Sequence, residues 1–347
     1  MSVNSQPNLC VSYTLFMSEY LGLNEQSAGF KLNTPVGLFF YNRPDLLKTI
    51  LNQLEAIYIP KLFLVSDGPN SQRFGDREKV RECRNLCKEL PNVGETIEIY
   101  RDYNVGIYKN ITEGIRNIFS NTETCIFLED DTLPDISFFR YCQELLEWYS
   151  EEDKVWLISG TNAFTSKKTT NSGSGSFYFS RYPGFWGWAS WSKKWNKYYD
   201  GVLATYSSFW NQPSFKKQFR SKREYLYWTN KLNVVIATKG TWDTQAIPTS
   251  FYNELLSIVP AVNLVTNIGF NRADATHSLG NSSLANILSH AFEFPMKIPP
   301  RISINQDYDK AVSNYVAPNF LKRLRIGFGR RFRRVRKYSY HPKNINE

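Results

Sequence analysis

The chain is predicted to fold as an α/β protein around a mostly parallel sheet. Three observations carry that expectation. Short apolar runs alternate with amphipathic helical segments from residue 34 to residue 150, two of those runs end on acids, and all nine Trp fall between Trp148 and Trp242. The alternation gives βαβ units. Acids at strand ends sit where open parallel sheets bind their ligands. The aromatic bias marks a second half with a different job.

The elements follow in order. Residues 35–41 (PVGLFFY) form an apolar run fit for a buried strand. Asn42-Arg43-Pro44-Asp45 then supplies a cap-type residue, a Pro near the helix start and an acid in the first turn. Leu46, Leu47, Ile50, Leu51 and Leu54 repeat at helical spacing. A second strand, 61–66, ends at the turn signal Asp67-Gly68-Pro69. Residues 76–90 read as a helix, 96–101 as a third strand and 104–119 as a loop entering a helix with Ile111, Ile115, Ile118 and Phe119 on one face. A fourth strand, 124–128, ends on Glu129-Asp130-Asp131, and Pro134 is expected to open the next helix.

Beyond Lys154 strands are expected at 155–159 and 176–182, a helix at 215–231 and a strand at 233–239. Thr241 is the expected cap of a helix entered at Trp242-Asp243-Thr244. A strand at 260–266 and a polar loop at 267–278 follow. The expected organisation is an extension (1–33), a catalytic unit (34–295, divided at 150) and a C-terminal segment (296–347).

Composition narrows the function. With 42% hydrophobic residues the 347-residue chain can bury a sizeable core, which excludes global disorder. Of the formal charge of +10, nine units belong to residues 318–347, which hold ten Lys/Arg against Glu347. The body is nearly neutral, so a protein built to coat nucleic acid is a poor description. Five scattered Cys argue against a disulfide framework, and with three His and no C-x-x-C a structural zinc site is not expected. Cys83 and Cys87, one helical turn apart, are expected to pack. No apolar run reaches the length of a membrane span and no signal peptide is visible, so a cytoplasmic protein is expected. The chain has no Gly-rich phosphate loop of either common pattern.

Three consecutive acids after an apolar strand need a neutralising partner, because packed carboxylates raise one another's pKa. A hard divalent cation, Mg²⁺ or Mn²⁺, suits such oxygen ligands. A solvated turn leading into the next helix explains the same residues.

The segment Cys125-Ile-Phe-Leu-Glu-Asp-Asp-Thr-Leu-Pro-Asp135, followed by Phe138-Phe139, resembles the acidic metal motif of GT-A glycosyltransferases. It is most similar to the Glu-Asp-Asp form of the N-acetylglucosaminyltransferase I group. Residues 36–54, Val65-Ser66-Asp67-Gly68, Asn104-Val105-Gly106 with Asn110 and Gly114-Ile115, Pro183-Gly-Phe-Trp-Gly-Trp188, and residues 269–277 resemble further stretches of that family in the same order. The resemblance covers roughly residues 34–280. It implies a Rossmann-like, mostly parallel sheet with helices on both faces and an aromatic-rich acceptor half. It also implies a nucleotide-diphosphate sugar donor, best matched by UDP, and transfer of a hexosyl or N-acetylhexosaminyl group to a glycan or lipid-linked acceptor, with inversion.

Carried over position by position, Asp131 would bind Mn²⁺ or Mg²⁺, and Glu129 and Asp130 would contact ribose and donor sugar. Asp67 would accept from the uracil N3–H, and Arg43 would lie near base or diphosphate. Asp243, with Asp274 in reserve, would be the general base. His277 would touch metal or diphosphate. One or two of Trp186, Trp188 and Trp191 are expected to line the cleft, with Trp188 assigned to the donor. The competing readings are a sugar-nucleotide pyrophosphorylase of related fold and a non-catalytic membrane or nucleic-acid adaptor.

In residues 318–337, Leu321, Leu324, Phe328, Phe332 and Val335 make a helical seam in a cationic background. Such a segment suits an anionic membrane surface. It predicts peripheral attachment at the inner face of the cell membrane.

Overall fold

The computed structural model describes residues 30–164, 175–199, 201, 210–238, 241–270, 272, 284–285 and 287–317. Its centre is an eight-stranded sheet, and the first half follows the sequence pattern closely. Strand β1 (Val36–Phe40) is buried along its whole length. Helix α1 (Pro44–Leu54) starts on its Pro and buries Leu46, Leu47, Ile50, Leu51 and Leu54, the five positions with helical spacing. Strand β2 (Ile59–Ser66), helix α2 (Asp76–Leu86), strand β3 (Val93–Tyr100), helix α3 (Ile107–Phe119) and strand β4 (Thr124–Glu129) continue the alternation.

β1 pairs in parallel with β2 on one side and β4 on the other, and β2 pairs in parallel with β3. Successive side chains of these strands go to opposite faces. Leu38, Leu64 and Leu128 join one apolar core with α1, α2 and the helix after β4. Phe39, Val65 and Phe127 join a second core with α3. Helices therefore cover both faces, as parallel sheets require.

The second half completes the sheet. Strand β5 (Thr132–Pro134) stands outside it, α4 (Ser137–Trp148) packs on the first core, and β6 (Val155–Ser159), β7 (Phe177–Ser180), β8 (Trp188–Trp191) and β9 (Leu256–Pro260) extend it. The order is β3-β2-β1-β4-β8-β6-β9-β7, with β8 and β7 antiparallel to their neighbours. Between β8 and β9 run helices α5 (Ser192–Tyr198), α6 (Pro213–Lys216), α7 (Lys222–Thr238) and α8 (Ala246–Tyr252). Strand β10 (Val265–Asn267) pairs antiparallel with β5, and α9 (Gln306–Val316) closes the described chain. A third apolar core gathers Trp210, Phe215, Phe219, Trp228, Phe251, Tyr308 and Val312 from α6 to α9.

The structure corrects several expectations. Pro134 ends β5 instead of opening a helix; α4 begins at Ser137, whose N–H donates to Asp135 Oδ1 at 2.9 Å. Residues 233–238 continue α7 rather than forming a strand, because Trp228, Leu232 and Val235 keep a buried stripe at helical spacing and the first two pack in the third core. The expected strand 260–266 is two strands. Between them Asn263 is buried and donates to the carbonyls of Val265, Ile287 and Leu288, which fixes a turn. Thr241 caps no helix: α8 starts only at Ala246, and the Thr241 hydroxyl donates to Thr244 Oγ1. The folded unit also runs past residue 295. Asn305 caps α9 by accepting from the Tyr308 N–H, and buried Asp309 accepts from Ser180 and Arg181. The four described cysteines are free and buried, and burial pushes the Cys83 and Cys87 thiols up to about 12.

Candidate functional site

The order β3-β2-β1-β4 makes the gap between β1 and β4 a topological switch point: the chain leaves β1 toward β2 and returns to the far side of β1 only at β4. Ligands of open α/β sheets bind outside the carboxyl ends of strands at such a point. The structure has a cleft of about 580 Å³ there, lined by residues 39–43 at the end of β1 and just beyond it, Asp67 after β2, Asn104 and the start of α3, and Glu129 and Asp130 at the end of β4. Its size suits a small organic ligand.

One wall is held by Asp67. The carboxylate is buried and takes four hydrogen bonds: Gly68 N (2.8 Å) and Val105 N (2.9 Å) on Oδ1, Gly106 N (3.0 Å) and Asn104 Nδ2 (3.0 Å) on Oδ2. That fills the acceptor capacity of a carboxylate. Asp67 lies in the cleft wall, but its lone pairs pin the 104–106 loop, so the expected acceptance from a base N3–H would require one of these bonds to break. Gly106 starts α3 with φ of +84°, a conformation that suits glycine. Arg84 ties the ends of β2 and β3 together by donating to the carbonyls of Asp67 (3.2 Å) and Arg101 (2.7 Å).

The loop after β1 is held from α2. Asp76, 2% exposed, accepts from Tyr41 Oη, Asn42 Nδ2 (2.5 Å) and Asn70 N (2.6 Å). Burial alone would raise its pKa, but these three donors hold it below the usual carboxylate value. Sequence reasoning missed this positioning residue; the signal was an acid at the first position of a helix whose other side meets the cleft.

The floor is the acidic run. Arg43 Nη2 donates to Asp130 Oδ1, its Nε to Asp130 Oδ2 (3.2 Å) and its Nη1 to Asp131 Oδ2 (2.9 Å). Asp130 is 3% exposed, and burial pushes its pKa up to about 6 against the pull of Arg43. Glu129 is held well above its usual value, first by desolvation and then by Asp131, Asp130 and Asp243. One guanidinium therefore pairs with two of the three consecutive carboxylates. Gly269 lies directly against Asp131: a Cβ there would come within 3.0 Å of Asp131 Cβ and Cγ, and Ile268 N donates to the Asp131 carbonyl at 2.8 Å.

The structure thus brings Arg43, Glu129, Asp130 and Asp131 together, with Asp243 near enough to Glu129 to help raise its carboxyl. Asp243 is part-exposed, one turn before α8, with the Ala246 N–H on its carbonyl at 3.0 Å. Trp188 does not belong to the set, which corrects its assignment to the donor. It is 2% exposed, stacked on Phe127 at 4.2 Å and packed against Trp195, Trp242 and Phe185. Trp191 is also core, its Nε1 donating to the Leu146 carbonyl at 2.9 Å. Trp186 is the part-exposed member of the three, edge-on to Phe270 at 5.4 Å. His277 and Asp274 lie outside the described residues, as does the 318–337 segment.

The side chains of the acidic run offer carboxylate oxygens, the donor type that a hard divalent cation takes, but Asp130 and Asp131 are paired with Arg43. Among the described residues no three His, Cys, Asp or Glu converge as a metal cage.

No protein-family model matches the chain, and no curated protein matches it. Several solved structures show a likeness. Mouse xyloside xylosyltransferase 1 in its apo form has a TM-score of 0.31 and 13% identity, over 64% of this chain and 82% of that one. The glycosyltransferase GlyE of Streptococcus pneumoniae TIGR4 has 0.28 and 11%, over 90% and 67%. A UDP-glucose pyrophosphorylase complexed with UDP-glucose has 0.24 and 12%, over 42% and 62%. At such values the functional reading rests on the site itself.

Proposed function

We propose that the protein is a glycosyltransferase that takes a sugar from a nucleotide-diphosphate donor, UDP-linked, and passes it to a glycan or lipid-linked acceptor. The observation that carries this reading is the cleft at the β1/β4 switch point, where Arg43, Glu129 and Asp130 line the floor and Asp131 joins them through its ion pair with Arg43. A Rossmann-like switch point suits a nucleotide, and the acidic floor suits a donor that arrives with a cation.

In this reading Asp131 holds Mg²⁺ or Mn²⁺ together with the donor diphosphate. The cation would act as a Lewis acid that offsets the charge of the leaving nucleotide. Arg43 holds Asp130 and Asp131 in place and limits their mutual repulsion. Asp67 fixes the 104–106 loop and with it the start of α3, so the nucleotide meets a rigid wall. Asp243 accepts the proton of the acceptor hydroxyl, whose oxygen attacks the anomeric carbon from the face opposite the diphosphate and inverts it. The Trp188 cluster keeps the floor stiff from beneath.

The test is a panel of nucleotide sugars scored by thermal shift with and without Mn²⁺, followed by turnover of the donor that binds. A ligand of the native state raises its melting temperature. Asp131→Ala is expected to abolish cation-dependent turnover, and Asp243→Asn to abolish transfer while retaining donor binding. Full activity of both variants overturns the assignment. Synthesis of a sugar nucleotide from a nucleoside triphosphate and a sugar 1-phosphate would establish the pyrophosphorylase reading instead.

A further inference from the structure

The helical insert between β8 and β9 carries a surface that the cleft does not use. Residues 210–238 hold six basic side chains and one acid. The acid, Glu224, is fully buried, accepting from Tyr182 Oη and Arg220 N. Lys216, Lys217, Arg220, Lys222, Arg223 and Lys231 are all exposed. Lys222 and Arg223 stand in the first turn of α7, where the helix dipole opposes cations, so helix stability does not explain them.

The rest of α7 is apolar on its outer side as well. Trp228 and Leu232 face the third core and Val235 is buried, yet Leu226, Val234 and Ile236 are 45%, 59% and 54% exposed. At 100° per residue, Lys222, Arg223, Leu226, Asn230, Asn233, Val234 and Ala237 share an arc of about 120° opposite the core. Ile236 flanks that arc. The outer face therefore runs from a cationic end to an aliphatic end and has no carboxylate.

We infer that this α6–α7 face docks on an anionic lipid bilayer, with the Lys/Arg end at the headgroups and Leu226, Val234 and Ile236 at the acyl boundary. Charge complementarity selects a polyanionic partner. The aliphatic half selects a lipid surface over a nucleic acid, which has no apolar layer to receive it. A second copy of the chain would bring like charges together across a two-fold axis. The α7 helix ends at Thr238, five residues before Asp243, so docking would set the acceptor side of the cleft close to the membrane. The inference does not depend on the 318–337 segment or on the enzymatic reading.

The test uses the full chain in a Cys10→Ser background, with Val234→Cys carrying an NBD fluorophore and Leu226→Cys as a second probe site. The four other thiols are buried. Vesicles of phosphatidylcholine with 30% phosphatidylserine are expected to shift the emission at both positions to the blue, and pure phosphatidylcholine is not. Lys222→Ser with Arg223→Ser is expected to weaken that response about thirtyfold. The inference fails if vesicles that bind the chain leave both probes unchanged, which would assign docking to another segment. It fails equally if single-stranded RNA shifts the probes and vesicles do not, or if the shift follows protein concentration without lipid.

Discussion

Arg43 is the residue on which the floor depends, and its removal has a calculable cost. Arg43 makes a two-point contact to Asp130 and a third bond to Asp131. The side chain of Asp130 is 4% exposed and that of Arg43 18%. In Arg43→Met the packing of the stem is largely kept, but Asp130 stays buried with no counter-ion. Breaking a buried pair from one side costs about 3–5 kcal/mol. Because Arg43 retains some water contact, the low end applies, about 3 kcal/mol. For a chain of this length that is a fall of about 4 °C in melting temperature. Arg43→Lys should recover little, since an ammonium cannot repeat the two-point contact. The decisive assay is a double-mutant cycle with Asp130→Asn, read by urea unfolding. Once Asp130 is neutral the loss of Arg43 should cost far less, giving a coupling of about 2 kcal/mol or more. A coupling below about 0.5 kcal/mol, the level of a surface pair, would refute the claim that Arg43 neutralises the floor.

Two further outcomes follow from neighbouring groups. Asp67→Asn turns an amide N–H₂ toward backbone N–H groups that now meet a carboxylate, and should cost about 2 kcal/mol; hydrogen exchange should rise at Val105 and Gly106, and unchanged exchange there would remove Asp67 from its clamping role. Glu224 and Asp309 share the third core, and burial holds both carboxyls above their ordinary values of 4.5 and 3.8 despite donors from Arg220, Ser313, Ser180 and Arg181. The native state therefore keeps protons that the unfolded chain has released, so stability should fall as pH rises through and above those ordinary values. Glu224→Gln should flatten that slope in chemical denaturation between pH 4 and pH 8, and an unchanged slope would assign it elsewhere.

The first half of the fold was legible because pattern and propensity agree there. In β1, β2 and β4 apolar residues are continuous, as strands buried on both faces require, and α1 and α3 carry stripes at helical spacing. The second half was less legible wherever a local preference lost to packing. Asn233-Val234-Val235-Ile236 is a β-branched run that reads as a strand, but Trp228 and Leu232 had already committed the preceding turns to one core, and extending a helix costs less than starting a strand. Trp188–Trp191 has no strand signal beyond its bulk; it becomes β8 because β4 and β6 both offer it antiparallel partners.

At the site the identities of the acids were legible and their partners were not. A run of Glu129-Asp130-Asp131 after an apolar strand is visible in the sequence, since three adjacent carboxylates at a strand end need a counter-charge or solvent. The sequence does not say which cation answers them. Arg43 lies 87 residues from Asp130, and only the parallel pairing of β1 with β4 brings the loop after one strand beside the loop after the other. The same pairing explains Trp188. Its neighbours suggested a sugar-stacking surface, but β8 sits against β4 and turns that ring onto Phe127 beneath the acids. Asp67 carries the general point. An acid at a strand end is a ligand only if lone pairs remain for one, and four N–H donors on Asp67 are a property of how the 104–106 loop closes. Its contribution to recognition is then to hold that loop and the start of α3 where a nucleotide would meet them, which is why Asp67→Asn should loosen the wall before it alters any contact to the base.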